Sequence, residues 1–194
     1  MKILRDAAQV RMPWKNGGGE TIEIARGPPG ASLDAFDWRI SRARIDGPGP
    51  FSRFPGIDRT LCVLDGAGIA LSVAGYPEQR LTQQSRPFAF DGAREAHSSL
   101  IGGVVTDLNV MTRRGKFTHR VESLAPKVSS RVSGVQNGIA VCFACRRAVI
   151  ESAQPVVLEA NDALMLERPD DAVTIAPIEN GHVYWIEIRI DGGE

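Results

Sequence analysis

Residues 47–71 read GPGPFSRFPGIDRTLCVLDGAGIAL, an order of loop, strand, tight turn and second strand. Leu61, Val63 and Leu64 supply the apolar run of the first strand, and Asp65-Gly66 carries the chemistry that reverses a hairpin. The same punctuation recurs along the chain, with Asp-Gly at 46, 65, 91 and 191 and Asn-Gly at 16, 137 and 180. These dipeptides cut the sequence into short pieces, the rhythm of an all-β protein. The strands predicted between them are Thr21–Ala25, Asp37–Arg44, Thr60–Leu64, Ile69–Val73, Arg86–Phe90, Val104–Met111, Ile139–Cys145, Val156–Leu158, Ala163–Leu166, Ala172–Ile175 and Val183–Ile190. Helix is confined to a turn or two at Asp6–Val10 and Ala93–Leu100.

Composition narrows the class. The chain has 194 residues, 43% hydrophobic and 24% charged, enough apolar material for a sizeable core. Lys plus Arg and Asp plus Glu number 23 each, so the basic excess of a nucleic-acid binder is missing. The opening MKILRDAAQVRMPWK carries charges where a signal peptide needs an apolar core, and no window approaches 18 uncharged apolar residues. No nucleic-acid or membrane partner is expected, and the expected location is cytoplasmic. Cys142 and Cys145 form a C-x-x-C inside a strand-like run, where residues three apart face opposite ways and cannot share one metal. With Cys62 they read as core thiols.

The 47–71 block resembles the first block of a cupin barrel, in which a loop feeds a strand ending in a "VLxGxG" hairpin. Metal-dependent cupins carry His-x-His and then Glu on the entering strand; here the place holds Phe54, Pro55, Gly56, Ile57, Asp58 and Arg59. The expectation is a barrel without a metal or other cofactor. A more specific resemblance lies in four blocks in order: Pro13–Thr21 (PWKNGGGET), Phe36–Ser41 (FDWRIS), Gly49–Arg59 (GPFSRFPGIDR) and Asp107–Arg114 (DLNVMTRR). Together they are similar to the HutD/Ves family. The resemblance implies an all-β bicupin, two packed cupin-like barrels of the jelly-roll type. It also implies a link to bacterial histidine utilisation as a regulator with no established catalysis. The polar, Ser-rich stretch 120–134, broken by Pro126, divides the chain into a barrel at 1–119, a connection, and a smaller barrel at 135–194.

Candidate site residues come from these blocks. Lys15-Asn16-Gly17 is either a glycine turn or a loop whose amides, with Lys15, line a ligand mouth; it lacks the spacing of a phosphate loop. Strand parity puts Arg39, Ser41 and Ala43 on one face opposite Trp38 and Ile40, the latter face being the expected core. Asp107, Asn109 and Met111 share a face, and Arg59 lies on the face of Leu61 and Val63. Arg59 and Asp107 read either as a structural ion pair plugging the barrel or, with Asn109, as the wall of a polar ligand site. His97, His119 and His182 are too scattered for a metal site. Phe51 and Phe54 suit core packing or an apolar wall.

Three functions are open. The first is a binding protein for a small carboxylate metabolite, urocanate or N-formylglutamate, with Lys15, Arg39 or Arg59 on the carboxylate and Asp107 and Asn109 on its polar groups. The second is a metal-independent enzyme, an isomerase or hydrolase with Asp107 as general base; no histidine or tyrosine beside the candidates supports it. The third is a purely protein-binding regulator. Exposed sheet edges would suit a homodimer.

Overall fold

A computed structural model describes residues 1–14, 18–124, 128–152, 154–178 and 182–192. The chain divides into two compact units, Val10–Lys116 and Met1–Gln9 with Phe117–Glu194. Strand β1 (Lys2–Leu4) opens the chain and is followed by a single 3-10 turn at Asp6–Ala8. The rest of the described regular structure is strand.

The Val10–Lys116 unit holds β2 (Val10–Pro13), β3 (Gly19–Gly27), β4 (Trp38–Ile45), β5 (Gly49–Pro50), β6 (Ile57–Asp65), β7 (Ile69–Val73), β8 (Gln79–Leu81), β9 (Phe88–Asp91), β10 (Ala96–Leu100) and β11 (Val105–Arg113). They form two antiparallel sheets, β2-β3-β4-β11-β6-β9 and β5-β10-β7-β8. Alternation explains the core between them: Leu61 and Val63 of β6 meet Ile69, Leu71 and Val73 of β7, with Leu81, Phe90, Ala96 and Val105 closing the cluster. Each of the buried Leu, Ile, Val and Phe side chains contributes about 1.5–3 kcal/mol. The opposite face of β4, β6 and β11, carrying Ile40, Cys62, Leu108 and Val110, is buried as well. The face of Trp38 and Ile40 is therefore not the sole buried face of β4, because Arg39, Ser41 and Ala43 are buried too.

Gly66 closes the β6–β7 hairpin at φ +93°, and a Cβ there would lie 2.4 Å from the Val104 carbonyl oxygen. Gly66→Ala should destabilise the fold by about 1–3 kcal/mol, read from a denaturant midpoint. A midpoint equal to that of the wild type would show that the turn tolerates a side chain.

The second unit holds β1 with β12 (Phe117–Leu124), β13 (Ser130–Ser133), β14 (Gly138–Ala144), β15 (Ala148–Glu151), β16 (Val156–Leu158), β17 (Ala163–Leu166), β18 (Ala172–Pro177) and β19 (Val183–Ile190). Its sheets run β1-β17-β14-β19-β12 and β13-β18-β15-β16. Ala140, Cys142, Leu164, Leu166, Ile150 and Trp185 lie in the apolar core between them. Burial pushes the thiols of Cys142 and Cys145 up to about 12, so both stay protonated.

The unit boundaries differ from those read in the sequence. Residues 1–9 leave the expected 1–119 barrel because β1 pairs with β17, Lys2 opposite Met165. The expected connection 120–134 contains most of β12, paired along its length with β19, and β13, paired with β18. Both strands look polar because they are sheet-edge strands with many exposed side chains. The helical turn expected at Ala93–Leu100 is instead a turn leading into β10, whose Ala96 and Ser98 are buried while His97 is exposed. Pairing of Ala96–Leu100 with β7, and of His97 and Ser98 with β5, fixes this stretch as strand.

Candidate functional site

A cavity of about 530 Å³ opens over the inner face of the six-stranded sheet. Register builds its floor in cross-strand rows. Arg39 of β4 and Arg59 of β6 stand on either side of Met111 of β11, and Ser41 and Leu61 flank Asn109. Ala43 and Val63 flank Asp107. Side chains directly opposite in antiparallel strands share a face, so both arginines stand on the cavity side.

Arg59 is held from three directions. Its Nε donates to Asn109 Oδ1 at 2.7 Å, and Nη2 donates to the same oxygen. Its guanidinium carbon lies 4.6 Å from the centroid of the Phe51 ring and 5.5 Å from that of Phe90, a cation–π contact with each. Burial lowers its pKa to about 10, with Asp107 opposing the fall and Arg39 adding to it, so the group stays charged at neutral pH. Nη1 has no hydrogen-bond partner among the described residues.

Arg39 spends only its Nε, donated at 2.9 Å to Glu23, whose other oxygen takes Arg26 Nε at 3.1 Å. A bulge between Glu23 and Ala25 makes this arrangement: it shifts the register so that Arg26, not Ala25, opposes Arg39. One carboxylate thus serves two arginines. The Ser41 hydroxyl, also on the cavity wall, bonds to no protein group among the described residues.

The loop 49–56 forms an apolar wall and is pinned to the sheet. Phe51 N–H donates to Ala96 O at 2.9 Å, Phe54 N–H to Gly92 O at 2.7 Å, and Phe54 packs on Phe36 with ring centroids 6.0 Å apart. Across the cavity, Trp14 Nε1 donates to Thr21 Oγ1 at 2.8 Å.

Asp107 stands on the same face of β11, two residues along from Asn109, with no exposed surface. Asn109 Nδ2 donates to its Oδ1 at 2.7 Å and the Ala43 N–H to the same oxygen at 3.2 Å; Oδ2 receives no hydrogen bond. Burial pushes its pKa up to about 7, against the pull of Arg59 and those two donors. The direct Arg59–Asp107 ion pair expected as one reading is replaced by a relay, in which the Asn109 amide accepts from Arg59 and donates to Asp107.

Of the residues singled out in the sequence, Arg39, Ser41, Arg59 and Asn109 line the cavity, and Asp107 is buried beside Asn109, outside the lining. Lys15 and Asn16 lie outside the described residues. Glu23 and Met111 were not among the candidates. Parity alone puts Glu23 on a face with Thr21, but only the cross-strand pairing, with Glu23 opposite Ser41, brings it to Arg39. His97, His119 and His182 stand on or beside β10, β12 and β19, and no cluster of three or more His, Cys, Asp or Glu suited to a metal occurs among the described residues.

Known proteins share both the sequence and the architecture. A protein from the hutC 3′ region of Pseudomonas putida is 40% identical over 122 residues, 63% of each chain. Protein Ves of Citrobacter koseri is 40% identical over 109 residues, 56% of each. The matched stretch thus spans less than two-thirds of these curated relatives. Among solved structures, a conserved protein of unknown function from Pseudomonas aeruginosa PAO1 superposes with a TM-score of 0.85 at 33% identity, covering 97% of this chain and 98% of that one. HutD from Pseudomonas fluorescens SBW25 gives 0.83 at 29%, covering 98% and 99%. Oxalate decarboxylase from Lactobacillus farciminis, at 6% identity with a TM-score of 0.60 over 96% of this chain and 85% of its own, shares the fold alone. The fold is all-β and cupin-like. With the HutD family profile matching residues 6–185, the chain belongs to the HutD family.

Proposed function

We propose that the cavity binds a small carboxylate metabolite of histidine breakdown, with urocanate and N-formylglutamate as candidates, and that the protein regulates histidine utilisation in the cytoplasm. On this reading each unit is one cupin-like barrel of a bicupin, and the Val10–Lys116 unit holds the ligand. The observation that carries the reading is the pair of guanidinium groups on one cross-strand row, both lining the cavity and each with N–H donors that no described residue takes, beside the unbonded Ser41 hydroxyl. Two like charges held close in a partly dry site repel, and a carboxylate between them relieves that repulsion while accepting their donors. The family membership and the hutC-region relative support the pathway.

Binding is favoured over turnover because no histidine or tyrosine is among the described residues of the cavity wall, and Asp107 is fully buried outside that lining. A general base must reach the proton it removes.

Calorimetric titration with urocanate and with N-formylglutamate tests the reading. One of them should bind one per chain and be recovered unchanged. Arg59→Met keeps the aliphatic stem against Phe51 and Phe90 but removes the charge, and should weaken binding by about 1.5–3 kcal/mol, roughly 12- to 150-fold. Equal affinity of the variant and the wild type would remove Arg59 from the site. Conversion of either acid would favour the enzyme reading.

A further inference from the structure

We infer that the anionic ligand and a proton enter this site together: a carboxylate held by Arg39 and Arg59 drives protonation of the buried Asp107 from solvent. The inference rests on the carboxylate reading above and adds a regulatory property to it.

The geometry supplies each part. Asp107 has no exposed surface, and both of its hydrogen-bond donors, Asn109 Nδ2 and the Ala43 N–H, converge on Oδ1. Oδ2 is left without a donor. A carboxylate in this position carries the cost of a desolvated charge with one unbonded oxygen, and a proton placed on Oδ2 removes the charge without breaking either bond. What keeps the ionised form accessible is Arg59, coupled through Asn109.

The surrounding charges decide the direction. Facing this part of the sheet among the described residues are Arg59 on β6, Arg39 on β4, and Glu23 with Arg26 on β3. Strand β9 contributes Phe88 and Phe90, and the β7, β8 and β10 strands contribute apolar side chains and the buried Ser98. Glu23 is shared between Arg39 and Arg26, so Asp107 is the negative group nearest to Arg59 along the bonded chain. An incoming carboxylate takes over the neutralisation of Arg59 and places a second negative charge on the same relay. Asp107 then loses its compensation and takes up a proton; the ligand stays an anion and no bond of it is broken. Burial already raises this carboxyl to about 7 against the pull of Arg59, so little further push is needed.

By linkage, affinity should be level below about pH 6, where Asp107 is protonated with or without ligand. Above pH 7 it should fall by up to about tenfold per pH unit. The test is calorimetry with N-formylglutamate and urocanate at pH 7.5 in buffers of different ionisation heat, which reads protons taken up per ligand bound. The wild type should take up a substantial fraction of one proton, and Asp107→Asn should bind with none and with a flat pH profile. Carbon-13 NMR of the Asp107 carboxyl should show its titration moving upward when either acid, or acetate in excess, is added. Binding with no proton uptake and no shift in that titration overturns the coupling and leaves the carboxylate reading standing. Failure of all three acids to bind overturns both.

Discussion

Between about pH 4 and pH 7 the protein should lose stability as the pH rises, by on the order of 4 kcal/mol from Asp107 alone. In the unfolded chain this carboxyl ionises at its ordinary value of 3.8; in the fold it holds its proton up to about 7. Across that window the folded state binds a proton that the unfolded state has released. The contribution is therefore greatest below pH 4, is lost steadily up to pH 7, and is level above. Asp171 acts in the opposite sense: the Arg168 guanidinium holds its carboxyl down at about 2, so it costs stability only as the pH falls below the usual carboxylate range. The two windows do not overlap. Denaturant unfolding at pH 5 and pH 8 checks the expectation. Asp107→Asn, which keeps the acceptor for Asn109 and Ala43 but cannot ionise, should remove most of the slope. Parallel wild-type and variant profiles would mean that Asp107 titrates like an exposed carboxyl.

Asp162→Ala should cost about 2–4 kcal/mol and loosen the N-terminal strand. Asp162 is 3% exposed, and its carboxylate ties residues far apart in sequence within one unit. Oδ2 accepts Arg5 Nη1 at 2.6 Å and the Glu159 N–H at 3.0 Å, while Oδ1 accepts the Asp6 N–H at 2.8 Å. Alanine leaves two backbone donors and a guanidinium without their acceptor. Arg5 is about half exposed and can rehydrate, which keeps the loss below that of a fully buried pair. Hydrogen exchange should show the loss first at Ile3 and Leu4, the residues of β1 opposite Leu164 and Ala163. A loss under about 0.5 kcal/mol, with β1 as protected as before, would mean that strand pairing alone holds the N-terminus.

Several features were legible without coordinates. The strands at Ile69–Val73, Val156–Leu158, Ala163–Leu166 and Val183–Ile190 have the bounds that apolar runs and turn dipeptides predict, since those signals are local. Parity along one strand also suffices to group Arg39 with Ser41 and Asp107 with Asn109. Edge strands such as β12 and β13 carry little apolar signal in the sequence because few of their side chains are buried.

What the amino-acid sequence by itself determined, then, was the all-β class, most strand positions, the family and the face on which each polar candidate lies. Only the tertiary structure decided that Arg39 and Arg59 flank Met111, and that β1 joins the second unit by pairing with β17, with Asp162 holding Arg5 and Asp6 just after it. It also decided that Asn109 stands between Arg59 and a carboxyl with one unbonded oxygen. The physical reason is range: alternation and turn preference act between neighbours in the chain, whereas register, bulges and burial are settled by strands dozens of residues apart. A pKa near 7 for Asp107 follows from that burial, and no property of the tripeptide around it carries the same information.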